Sequence, residues 1–148
     1  MKPDAGKLLG VTAGHLMTRT APALPPGYEQ SSVMGLGALL IAAGEEFERG
    51  AARRVDENTE LRQLFGRAAG VCEDADLGAR LDTASAASEG SLRLTDLELS
   101  NAALRELLIE LHAHVEILDS DAARSLDRAI WRELAASTER RKLSLAAF

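Results

Sequence analysis

The residues best suited to chemistry lie close together in His112-Ala113-His114-Val115-Glu116. On a helix, His112 and Glu116 are one turn apart and share a face, as do Glu106, Glu110 and His114. The two imidazoles stand about 200° apart round the helix, so one helix cannot offer both to a single metal. Di-metal carboxylate bundles carry Glu-x-x-His on two helices, with a further Glu from each of two others. Here Ile109 and Leu111 stand three residues before the histidines, where that motif needs Glu. A metal site would have to be improvised from Glu45, Glu48, Glu110, His112, His114 and Glu116, with Glu46 alongside; surface charge pairing is the plainer expectation.

No Walker loop, dinucleotide-binding glycine motif, Cys-x-x-Cys pair, nucleophile elbow or His-Glu-x-x-His zinc motif is present. Gly35-Leu36-Gly37 lacks a third glycine and follows no strand, which leaves it a role in helix packing. Cys72, the one cysteine, stands beside Glu73 and Asp74, and acidic neighbours disfavour a thiolate. Arg124, Arg128 and Arg132 recur every four residues and are expected to pair with nearby acids such as Asp121 and Asp127. Arg140-Arg141-Lys142 places three cations at the negative end of a helix. Nothing groups a nucleophile, a base and an orienting partner. The expected function is therefore a non-catalytic helical module for self-association or partner binding, with no cofactor. A metal-binding bundle or enzyme is the alternative.

The elements that must hold these residues are helices. Ala and Leu supply 50 of 148 residues, whereas Ile and Val total nine and aromatics 3%, so strand formers are scarce. The expected architecture is an all-α single domain over 1–148, a bundle of three to five helices. A short helix spans about 4–19, followed by a proline-rich connector at 20–28 that is read as non-helical. A long helix then runs over about 31–69, carrying Val33, Gly37, Leu40, Gly44, Phe47, Ala51, Leu61 and Phe65 at heptad spacing. A modest helix is expected from Asp76 to Ala87. Thr95-Asp96-Leu97-Glu98 reads as a capping box opening a helix to Leu118, striped by Leu97, Asn101, Leu104, Leu108, Leu111, Val115 and Leu118. The last helix covers 121–141 and buries Ala123, Leu126, Ile130, Leu134 and Ser137. Asn58 and Asn101 interrupt apolar stripes, where a buried Asn fixes register by demanding a partner.

With 23 acids against 17 bases the net charge is −6, which disfavours nucleic acid as a partner. The longest apolar-and-glycine run, Val33 to Gly44, is too short to span a membrane, and a cytoplasmic protein is expected. An unbroken helix over 31–69 would be about 58 Å long, against a diameter of about 38 Å for a compact chain of this size. That overhang, striped with Gly and Ala, points to a homodimer built along it. A break at Gly44 or Gly50 is the competing outcome.

Overall fold

A computed structural model describes residues 4–143. Those residues are all-α, without strands: α1 (Ala5–His15), a π turn (Leu16–Thr20), the single turn α2 (Ala21–Ala23), α3 (Tyr28–Ala68), α4 (Ala75–Ala86), α5 (Leu94–Glu116) and α6 (Asp121–Arg140). No helix among them is long and apolar enough to cross a membrane. The long helix runs unbroken through Gly44 and Gly50. The described residues divide into two compact units, one holding residues 4–50 and 143, the other residues 51–142.

The first unit is a helical hairpin. Asp4 caps α1 by accepting the Lys7 N–H at 3.1 Å. The stretch containing Pro22, expected to be non-helical, instead continues the helix as far as Ala23. A proline ring crowds the carbonyl four residues back. Just before it the helix widens, with the Ala21 N–H reaching five residues back to the Leu16 carbonyl. Gly27, at φ +155°, then reverses the chain into α3. Gln30 closes the corner by donating Nε2 to the Ala21 carbonyl at 3.1 Å. Small residues bring the two helices together: a methyl group on Gly37 would overlap the Met17 side chain, and Gly44 faces Leu9. The side chain facing Gly6 is Glu48, and Phe47 is 64% exposed rather than in the packed stripe. A straight helix drifts about 20° per heptad from a strict seven-residue repeat, which carries Phe47 out of line.

The second unit has a leucine-rich core. Leu61, Leu64, Phe65 and Ala68 of α3 pack with Leu77 and Leu81 of α4, with Leu104, Leu107, Leu108, Leu111 and Val115 of α5, and with Ala123, Leu126 and Ile130 of α6. Asp74 caps α4 by accepting the N–H groups of Asp76 and Leu77, and Ser120 caps α6 by accepting that of Ala123. The capping box at Thr95 does not form. α5 begins two residues earlier than that box would set it, at Leu94, with no side-chain cap, and Glu98 pairs with the Arg54 guanidinium at 2.6 Å.

Candidate functional site

Beyond Leu61 towards its N-terminus, the buried stripe of α3 continues into Asn58 and Glu57. On α5 the same level is occupied by Asn101, between Leu97 and Leu104, and on α6 by Ser137, beyond Ile130. Three helices thus meet at polar rather than apolar side chains. All four are buried, Glu57 at 1% exposure. A buried carboxylate is costly unless its charge and lone pairs are matched.

Here they are matched. The Arg141 guanidinium clasps Glu57 with two bonds of 2.8 Å, Nε to Oε1 and Nη2 to Oε2. The Ser137 hydroxyl donates to Oε1 at 2.8 Å, and Arg54 Nη1 to Oε2 at 3.0 Å. Asn101 Nδ2 is shared between Glu57 Oε2 at 3.3 Å and Asn58 Oδ1 at 2.8 Å. Asn58 in turn donates to Glu89 at 2.9 Å and to the Leu97 carbonyl at 3.3 Å. Arg105 Nη2 donates to the Ser137 hydroxyl at 2.6 Å and lies 3.9 Å from Glu57. At the flank, Arg62 holds Glu89 at 2.5 Å and the Ser100 hydroxyl at 3.0 Å, while its own Nε is buried without a partner.

Burial pushes the Glu57 carboxyl up. The hydrogen bonds from Arg141 and Ser137 and the charges of Arg141 and Arg54 outweigh it and bring the pKa down to about 2. Burial and the neighbouring Arg141 charge together lower the Arg105 guanidinium from its usual value. Glu133, linked to Arg140, is raised because burial is its largest influence. A carboxylate ionised throughout the neutral range is too weak a base to activate the Ser137 hydroxyl it holds. The cluster instead ties α3, α5 and α6 together at one level and penalises any register that leaves Glu57 without its cations.

The residues expected to do chemistry are dispersed. Glu45 pairs with Arg49 at 2.9 Å in the first unit, and Glu48 lies against Gly6. In the second unit Glu110 and Arg80 form a bidentate pair at 2.6 and 2.8 Å, which lowers the Glu110 carboxyl and raises the Arg80 guanidinium. His112 does meet Glu116, at 3.6 Å, but its closer contact is Asp127 of α6 at 3.0 Å, with its ring edge-on to Trp131. His114 points elsewhere and accepts the Glu73 N–H at 3.3 Å. Among the described residues, no three or more His, Cys, Asp or Glu gather where a metal ion could be held. Arg124 pairs with Asp119 and Asp121. Arg141, at the C-terminal end of α6 as expected, is also the main partner of Glu57.

Glu57 itself belongs to a segment whose alternating charges read as a solvated face. The signal that singles it out is its register: Glu57, Leu61, Leu64 and Ala68 follow one another at four-, three- and four-residue steps, a single buried line. The fold and this cluster define a helical protein organised round an internal arginine–carboxylate clasp. No protein-family model matches the chain, and neither a curated protein nor a solved structure is similar to it.

Proposed function

We propose that the protein is a non-catalytic self-association module, in which the N-terminal hairpin pairs with the hairpin of a second copy. The observation that carries this reading is the exposed face of α3. Leu36, Leu39, Ala43 and Phe47 follow at helical spacing, and Leu39 is 67% exposed. Among the described residues of this unit the buried apolar side chains are Ala13 and Ala21, while Leu8 and Val11 of α1 are also exposed. Two helices cannot cover one another on every side, and a stripe of this kind is ordinarily covered by further helices.

A second copy fits the charge pattern. No ionisable side chain lies between Glu29 and Glu45, so a face here can be covered without burying a charge. In a two-fold antiparallel pairing centred between Ile41 and Ala42, Leu36 of each copy meets Phe47 of the other. The acids Glu45, Glu46 and Glu48 then lie opposite the uncharged residues 35–38 of the other copy. A parallel pairing would instead set the acids against their own copies. The non-catalytic part of the reading rests on the Glu57 cluster, whose groups are committed to one another. The net charge of −6 and a lone Cys72 support a cytoplasmic setting without nucleic acid.

Light scattering after size exclusion at micromolar concentration tests the pairing. The expected mass is twice the chain's 15.8 kDa. Leu39→Glu and Phe47→Glu are expected to return it to a single chain that keeps most of its helical circular dichroism, that of the second unit. Wild-type protein at 15.8 kDa would overturn the proposal.

A further inference from the structure

The second unit holds a cavity of about 280 Å³ between the end of α3 and the middle of α6, lined by none of the residues of the Glu57 cluster. Its floor is apolar, made by Val71, Leu126 and Ala129. The Ser125 hydroxyl and two guanidiniums, Arg67 and Arg132, complete the lining. No acidic side chain lines it. Neither arginine has a carboxylate partner among the described residues; Arg132 only donates Nε to the Arg128 carbonyl at 3.3 Å. Elsewhere in this unit Arg54, Arg62, Arg80, Arg124, Arg140 and Arg141 pair with acids, whereas Arg67 and Arg132 share this cavity without one.

Arg67 has one structural reason for its position, since a cation in the last turn of α3 faces the negative end of the helix dipole. Arg132 has none, because it stands in mid-helix. Two like charges lining one cavity repel each other, and an anion between them removes that repulsion. Guanidiniums suit carboxylate and phosphate oxygens because their donors match the spacing of such oxygens.

We infer that this cavity binds a small amphiphilic anion. A carboxylate or phosphate monoester head would lie between Arg67 and Arg132, within reach of the Ser125 hydroxyl, and a short hydrocarbon part would lie against Val71, Leu126 and Ala129. The volume is just under the range of about 300–1,000 Å³ typical of ligand pockets, so the apolar part is a few carbons long.

Titration calorimetry at constant ionic strength with hexanoate, hexyl phosphate and inorganic phosphate tests this on the full chain. At least one of the two six-carbon ligands is expected to bind, and the tighter one identifies the head group. Arg67→Gln and Arg132→Gln are each expected to weaken that binding ten-fold or more while leaving circular dichroism and the urea midpoint unchanged. Inorganic phosphate binding as tightly as hexyl phosphate would overturn the amphiphile assignment. Absence of heat with both six-carbon ligands, or binding unaltered in both variants, would overturn the site itself.

Discussion

One helix, α3, contributes to two regions that are stabilised in different ways. Over residues 28–50 its contacts run through Gly37 and Gly44, so the neighbouring backbone comes close, but little apolar area is removed from water. Over residues 57–68 the contact face is Leu61, Leu64 and Phe65, all within 2% of complete burial, and the polar clasp stands above them. Side-chain bulk on the contact line decides the difference. A hairpin built on small residues gains closeness and leaves its large side chains outside, where a further partner can cover them. A unit built on leucines covers its own.

The comparison breaks first if the hairpin's side chains carry as much stability as those of the second unit. Phe65→Ala is expected to cost about 3–5 kcal/mol in urea titration, through the cavity it leaves. Leu39→Ala at low protein concentration is expected to cost less than about 0.5 kcal/mol, as for most exposed sites.

Glu57 sharpens the comparison through charge. Its folded pKa of about 2 lies below the ordinary 4.5, so the folded state favours the ionised carboxylate. The stabilisation is fully present above about pH 4.5 and fades as the pH falls towards 2. It amounts to about 3 kcal/mol at neutral pH, at 1.36 kcal/mol per unit. Glu57→Gln is expected to remove an amount of this order at pH 7 and to flatten the acid limb of stability between pH 4.5 and 2. An unchanged acid limb in the variant would show that other carboxylates set it.

Asn101→Ala removes the donor to Asn58 and the acceptor of Arg105. A loss of about 1–3 kcal/mol is expected, the cost of leaving buried polar groups unmatched. The smallest effect is expected at Thr95. Because α5 starts without a side-chain cap there, Thr95→Ala should change the stability read by urea titration by less than about 0.5 kcal/mol. A full capping loss would show that the box forms in solution.

Much of the architecture is legible in the sequence because it rests on periodicity. The α5 stripe of Leu97, Asn101, Leu104, Leu108, Leu111 and Val115 is buried as its spacing implies, and Leu107 joins it. Asn58 and Asn101 do find one another. The remainder depends on contacts distant in the chain. Glu57 and Arg141 are separated by 84 residues; the register of Glu57 with Leu61, Leu64 and Ala68 hints at burial, but nothing local pairs it with Arg141. The Thr95 box looks complete locally, but α5 starts ahead of it at Leu94, and Glu98 pairs with Arg54, 44 residues away. Pro22 misleads for a related reason: a proline normally ends a helix, and the wider turn at Leu16–Thr20 that accommodates it has no sequence signature.

Amide hydrogen exchange at two protein concentrations tests the central claim, that the hairpin needs a second copy and the leucine-rich unit does not. A two-helix hairpin with so small a core is marginal alone. On dilution from high to low micromolar, amides of residues 34–47 are expected to lose protection, while those of residues 104–111 keep it. Protection that stays constant in both segments, or falls equally in both, would contradict the account.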